Sequence, residues 1–229
     1  MFKLRAFVLA MAAALTCVTA NPAAAQFGIH GGMNLSKFVG DDAESESATK
    51  LRFGARLSLI NVGPVSIGPE VFYAQRGGRQ LAPSTEPNPL VQAYDFSMNY
   101  LEVPVLAKIS LVRVGPIRPY IAGGPVYAWQ LKCDVTLLTV SGASGEEEDC
   151  QDDTFKNARS AYRNADKGIM FGGGLDFNVL GLGMITLDAR VLRGLDRLTE
   201  DSAAGDVKAQ SVSLMLGYTL GVGGMGGMR

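Results

Sequence analysis

The stretch Gly168-Ile-Met-Phe-Gly-Gly-Gly-Leu-Asp-Phe-Asn-Val-Leu-Gly-Leu-Gly-Met-Ile-Thr-Leu-Asp-Ala-Arg-Val-Leu-Arg-Gly-Leu195 decides the fold. Ile169, Phe171, Leu175, Phe177 and Val179 alternate with Gly168, Met170, Gly172, Gly174, Asp176 and Asn178, the period of two expected of a strand with unlike faces. Only Met170 disturbs the contrast. After a glycine-bearing link, Leu180 to Gly183, the residues Ile185, Leu187, Ala189 and Val191 alternate with Thr186, Asp188 and Arg190. The two runs read as an antiparallel hairpin with one apolar face and one small, polar and charged face.

The same alternation recurs along the chain. Phe27 to Lys37 sets Phe27, Ile29, Met33 and Leu35 against Gly28, His30, Gly32, Asn34 and Ser36. Leu51 to Ile60 sets Leu51, Phe53, Ala55, Leu57 and Leu59 against Arg52, Gly54, Arg56 and Ser58, and Val65 to Arg76 repeats the pattern around Glu70. A fourth strand from Tyr94 to Leu111 slips in phase near Tyr100, which predicts a bulge there. A fifth spans Arg118 to Lys132, the hairpin supplies the sixth and seventh, and an eighth carries Val212, Leu214, Leu216, Tyr218 and Leu220 on one face. The fold expected is therefore all-β, an eight-stranded antiparallel up-and-down transmembrane β-barrel, apolar outside and polar inside.

Connection lengths support it. Long polar connections (Phe38 to Lys50, Gly77 to Ala93, Cys133 to Lys167, Asp196 to Val207) alternate with short turns (Asn61 to Pro64, Val112 to Ile117, Leu180 to Gly183). Outer-membrane barrels have short periplasmic turns and longer extracellular loops. Read upward from the short-turn end, Phe27, Phe177 and Tyr218 lie low and Tyr73, Tyr94, Tyr127 and Trp129 lie high, as two interfacial belts would. The glycines crowding the polar face, Gly28, Gly54 and Gly172 among them, suit a narrow lumen better than the exterior of a soluble barrel. Pro69, Pro104, Pro119 and Pro125 fall inside or at the start of these strands, where the missing N–H predicts bulges or strand ends.

The N-terminus reads as an export signal. Lys3 and Arg5 precede the apolar run Ala6 to Ala20, and Ala23-Ala24-Ala25 supplies small residues for cleavage. The domain expectation is a signal peptide over 1–25, a barrel over 26–220 and a flexible Gly/Met-rich tail over 221–229. Without Lys3 and Arg5 the chain keeps 19 basic and 22 acidic residues, a net charge of −3, which argues against nucleic acid as a partner. Cys133 and Cys150 then form an even pair in an exported chain, and a disulfide between them is expected.

The chemistry concentrates on the polar face. Arg52, Arg56, Glu70, Glu102, Lys108, Asp176, Asp188 and Arg190 should meet across a lumen only wide enough for side chains. Counting Arg76 and Arg118 as well, six inward cations face four inward anions. Unpaired charges in so dry an interior would be costly, so a paired structural plug is expected rather than an ion path.

His30 is the only histidine, which excludes a histidine-rich metal site or a Ser-His-Asp triad elsewhere. Gly172-Gly173-Gly174 sits within a strand and is not a phosphate loop. The acidic run Glu146, Glu147, Glu148, Asp149, Asp152 and Asp153 lacks the spacing of a calcium loop and reads as solvated. After it, Phe155, Ala158 and Tyr162 have the spacing of a short helix. No enzyme activity, cofactor or metal is expected.

Several short motifs resemble the outer-membrane β-barrel, or porin-like, family that includes PorT-type proteins. They are Gly31-Gly32-Met33-Asn34-Leu35-Ser36, Pro69-Glu70-Val71-Phe72-Tyr73, Tyr100-Leu101-Glu102-Val103-Pro104, Arg118-Pro119-Tyr120-Ile121-Ala122-Gly123-Gly124-Pro125 and Gly172-Gly173-Gly174-Leu175-Asp176-Phe177. The resemblance implies an integral outer-membrane protein of a Gram-negative-type envelope, with membrane lipids around it and the barrel-assembly machinery as a partner in biogenesis. Barrels of this kind commonly end on an aromatic residue. Here Leu220 precedes a glycine-rich tail, which leaves Tyr218 as the sorting residue.

Two functions remain open. One is a structural or interaction protein whose extracellular loops meet envelope or extracellular partners, and the other is a porin-like passive channel for ions or small solutes. Open aqueous channels typically need about 16 strands, which favours the first.

Overall fold

A computed structural model describes residues 26–40, 43–44, 46–81, 91–139, 144–149, 165–179, 183–195 and 208–221. The proposed signal segment, most of the tail and the helix-spaced residues 155–162 lie outside the described residues. Among the described residues no helix is long and apolar enough to cross a membrane. The described residues form eleven strands: β1 (Gln26–Gly40), β2 (Ala43–Glu44), β3 (Glu46–Ser58), β4 (Ile60–Val62), β5 (Val65–Leu81), β6 (Val91–Ser110), β7 (Ile117–Thr139), β8 (Ser144–Asp149), β9 (Ala165–Val179), β10 (Gly183–Gly194) and β11 (Lys208–Gly221).

Eight of them close the barrel. Hydrogen-bonded neighbours run β11-β10-β9-β7-β6-β5-β3-β1, and β1 pairs back with β11 from Gln26–Gly221 to Val39–Lys208. Every pairing is antiparallel. Closure leaves no edge for edge-to-edge association. Gln26 also pairs with Ser58, so both ends of the barrel chain sit beside the first short turn. The three small strands are local additions: β2 folds back on β1, β4 pairs with β5 beyond the end of β3, and β8 pairs with the far end of β7.

Three local expectations need correction. The expectation for the prolines holds at Pro69, where β3 stops at Ser58 and the register on β5 steps from Arg56–Glu70 to Ile60–Ile67 across Leu59, and fails at the other three. On either side of Pro104 the β5–β6 register is unchanged, from Pro69–Val105 to Phe72–Glu102, and β7 keeps one register with β9 through both Pro119 and Pro125. Neighbouring strands hold the ladder, and the missing donors cost single rungs. The shift near Tyr100 is present, between Asn99 and Tyr100, but the extra residue is on β7: Asn99 pairs with Lys132 and Tyr100 with Gln130, so Leu131 has no partner on β6. That bulge flips the phase of β7, and Cys133 and Val135 turn inward above it. Lastly, the segment expected as one loop from Cys133 is strand as far as Thr139 and strand again over Ser144–Asp149.

The wall separates two environments as the alternation requires. Outward residues such as Ile29, Met33, Phe53, Phe171, Leu214 and Leu216 are exposed, and their sequence neighbours are buried in the lumen. The lumen is less uniformly polar than its glycines suggest. Phe72, Phe96, Met98, Tyr100, Met170 and Met215 are all buried inside.

Candidate functional site: the lumen charge network

Alternation on β3, β5, β6, β9 and β10 points every other side chain at the barrel axis, so residues far apart in sequence converge. The eight expected members, Arg52, Arg56, Glu70, Glu102, Lys108, Asp176, Asp188 and Arg190, are all buried in the lumen. Each has an oppositely charged partner. They fall into two layers.

The layer nearer the short turns centres on Arg190. Its Nε donates to Asp188 Oδ1 at 2.7 Å and its Nη2 to Asp188 Oδ2 at 2.8 Å, while its Nη1 reaches Glu70 Oε2. Glu70 also accepts from Arg56 Nε at 2.6 Å. In the ring order β10 stands opposite β5, so the Arg190–Glu70 pair spans the full lumen. Tyr120 donates its hydroxyl to Asp188 at 2.5 Å. Lys108 donates to Asp176 at 2.6 Å and lies 3.7 Å from the centre of the Tyr120 ring, and Thr186 donates to the other Asp176 oxygen.

The upper layer centres on Glu102. Arg52 approaches it at 2.8 Å, and Arg76 donates from Nε at 2.9 Å and from Nη2 at 2.5 Å. Arg76 Nη1 donates onward to Asp166 at 2.7 Å, and its guanidinium lies 4.5 Å from the centre of the Tyr100 ring.

Between the layers sit Phe72 and Met170. The Phe72 ring is 4.5 Å from Arg52 and 5.7 Å from Arg190, and the Met170 sulfur is 3.8 Å from both guanidinium groups. The residue that breaks the alternation of the deciding hairpin is thus the spacer between two charged layers.

The sequence balance of six cations and four anions becomes five and five. Arg118 shares the inward phase but lies at the short-turn rim, exposed, and takes no part in the plug. Asp166 joins it. This residue fell within the expected loop, yet β9 begins at Ala165 and aims Asp166 at Arg76. Tyr100 and Tyr120, which line the network through their rings, carry the only advance signal that was available: an inward phase on β6 and β7.

At the short-turn mouth the lumen keeps a cleft of about 30 Å³, bordered by Arg56, Glu70, Lys108 and Thr219 among others. His30 packs on Gly217 and meets the Phe72 ring edge-on at 6.5 Å, and no carboxylate or hydroxyl among the described residues hydrogen-bonds its ring nitrogens. Among the described residues no group of three His, Cys, Asp or Glu side chains could hold a metal ion. Of the acidic run, Glu146 to Asp149 belong to β8, and Asp152 and Asp153 lie outside the described residues.

Cys133 is buried on β7, whereas Cys150 lies outside the described residues. Phe27, Tyr73, Tyr127, Trp129, Phe177 and Tyr218 occupy outward positions, with Tyr127 and Trp129 rings 4.5 Å apart and Tyr73 5.1 Å from Phe53. Tyr94 is on β6, but its side chain is not described. Phe53 and Phe171 also face outward between the two proposed belts.

Comparison with solved structures returns small bacterial surface barrels. The Ail attachment invasion locus protein of Yersinia pestis, solved in complex with the heparin analogue sucrose octasulfate, is 16% identical, with 86% of this chain and 99% of that chain covered at a TM-score of 0.42. Neisserial surface protein A is 14% identical, with 85% and 96% covered at a TM-score of 0.46. OprG from Pseudomonas aeruginosa is 12% identical, with 86% and 97% covered at a TM-score of 0.46. Among curated proteins no sequence matches this chain. The family model described as outer membrane protein beta-barrel domain matches residues 19–200. With that match over most of its length and a closed barrel whose apolar face is turned outward, this chain belongs to the outer-membrane β-barrel family and resides in the outer membrane.

Proposed function

We propose that the protein is a closed, non-catalytic barrel with a structural or interaction role, working through its extracellular connections to envelope or extracellular partners. The observation that carries this reading is the Arg190 guanidinium, which ties Asp188 on its own strand to Glu70 on the opposite wall. An axis crossed by side-chain ion pairs in two successive layers offers ions and sugars no continuous water path. Planar-bilayer recording of purified mature protein tests it: closed membranes are the expected result, and steady nanosiemens-scale channels from monomers would establish the porin-like reading instead.

Further expectations belong to this reading. Export uses the 1–25 segment, Tyr218 serves the barrel-assembly machinery as the terminal aromatic, and the aromatic belts mark the two interfaces. Cys133 bonds Cys150. Both are the cysteines left after export, and Cys133 follows Lys132 just above the β7 bulge. Such a bond would close 18 residues, worth roughly 3 kcal/mol in the chain-entropy model. Thiol titration of the denatured, unreduced mature protein should find no free cysteine.

A further inference from the structure

The two described short turns share a sequence and a shape. Val62-Gly63-Pro64-Val65 ends the first, and Val114-Gly115-Pro116-Ile117 ends the second. Gly63 and Gly115 adopt φ of +58° and +61°, the left-handed geometry that an ordinary side chain resists. The turns are also tied together and to the wall. Ser110 N–H donates to Pro64 O at 2.8 Å, Leu111 N–H to Pro119 O at 2.8 Å and Asn178 N–H to Pro116 O at 3.3 Å.

This rigid pair presents apolar side chains where a solvated turn would carry polar ones. Val112 is 84% exposed, Val114 70%, Val62 69% and Ile60 54%. Scattered exposed apolar residues need no explanation, but Ile60 and Val62 are joined to the lipid-facing wall, Ile60 pairing with Ile67, Val62 with Val65 and Val65 with Ile109, and Val114 bridges to Ile117 at the foot of β7. Neither turn contains an acidic residue. Their charges are Arg113, between Val112 and Val114, and Arg118 at the foot of β7, both exposed. Asp176, the residue opposite Arg118 in the ladder, is already held by Lys108 and Thr186.

We propose that the twin turns are a phospholipid-binding keel. Ile60, Val62, Val112 and Val114 seat at the headgroup–acyl boundary of the periplasmic leaflet, and Arg113 and Arg118 bind the phosphate of an anionic phospholipid there. Continuity with the lipid-facing band selects a membrane over a protein partner, and the exclusively positive charge selects an anionic headgroup. An apolar turn flanked by arginines is the arrangement that lets aliphatic groups enter the boundary while cations stay at phosphate level. The assignment is independent of whether the lumen conducts.

Trp129 is the only tryptophan, so a reporter is readily placed. The mature protein carrying Trp129→Phe with Val112→Trp, and a second variant with Val62→Trp, is assembled in phosphatidylglycerol or phosphatidylcholine nanodiscs. Heat-modifiable gel mobility confirms the folded barrel. The keel requires blue-shifted emission, quenching by lipids brominated near the headgroup and protection from iodide. Water-like emission quenched by iodide would overturn it. Protection from both quenchers, with Val112→Cys cross-linking between copies, would overturn it in favour of a second copy of the chain. For the headgroup, Arg113→Gln and Arg118→Gln should each lower association of spin-labelled phosphatidylglycerol roughly fivefold and leave phosphatidylcholine unchanged. Equal losses for both lipids, or no loss, would remove the anionic site.

Discussion

Met215 and Leu216 are consecutive on β11, yet Met215 is 1% exposed in the lumen and Leu216 is 62% exposed toward lipid. The two faces of one wall obey different rules. Outside, any residue of sufficient apolarity serves, because lipid tails make no specific demands. Inside, each charge has a named partner, often on a distant strand, and replacing one residue affects several. The lipid face is therefore specified by composition and the lumen face by pairing.

Single substitutions should separate the two rules. Glu70 accepts from both Arg56 and Arg190, so Glu70→Ala would leave buried guanidinium groups without their carboxylate. Removing one partner of a buried pair typically costs about 3 to 5 kcal/mol. Urea unfolding of the refolded protein in lipid vesicles should read a loss of that size, and a near-silent change would mean that the lumen holds enough water to solvate the orphans.

On the lipid face, Leu216→Arg should cost about 2 to 4 kcal/mol by the same measurement, because Leu216 lies opposite Gly31, midway along the apolar run of β1. Leu57→Arg should cost less than Leu216→Arg, because the penalty falls from the midplane toward the interface. Leu57 reads as mid-strand in the sequence, but it pairs with Phe27 at the short-turn end of the wall. Equal costs at Leu216 and Leu57 would break the depth rule on which the face assignment rests.

A functional variant sharpens the comparison further. Arg56 stands at the cleft by the short-turn mouth, so Arg56→Ser should enlarge that cleft and leave Glu70 with one partner fewer. The expected outcome is a small, cation-preferring conductance in planar bilayers that the wild-type protein lacks. Smaller still should be Met170→Leu, a volume-conserving change costing less than about 1.5 kcal/mol, since its sulfur contacts to Arg52 and Arg190 are weak ones.

The closed ring and the face of nearly every strand residue could be read from alternation, because a period of two survives wherever one side meets lipid and the other a lumen. Residues at strand ends could not. Arg118 and Asp166 are charged residues flanking apolar runs, and only the three-dimensional rim decides that the first is outside the plug and the second inside it. The bulge is a related case. Phe96 and Met98 make β6 look as though it changes phase near Tyr100, whereas they are apolar residues facing inward in step with Tyr100 and Glu102, and the extra residue there is on the neighbour β7. Pro104, Pro119 and Pro125 misled for an energetic reason: the cost of one absent donor is small against the many bonds that flank it.

Arg190 and Glu70 are 120 residues apart, and the bond from Ser213 to Asn34 spans 179. Neither can form while the chain is still missing its last strands. A growing barrel can accumulate hairpins in order, and Glu70 can hold Arg56 from the neighbouring strand early, but it acquires Arg190 only when β10 arrives. The strands before β10 pair their own charges, Arg56 with Glu70, Arg52 and Arg76 with Glu102, and Lys108 with Asp176, so what they lack is the tie across the lumen. The brace between opposite walls therefore belongs to the late strands of the chain, and the local ion pairs to the early ones.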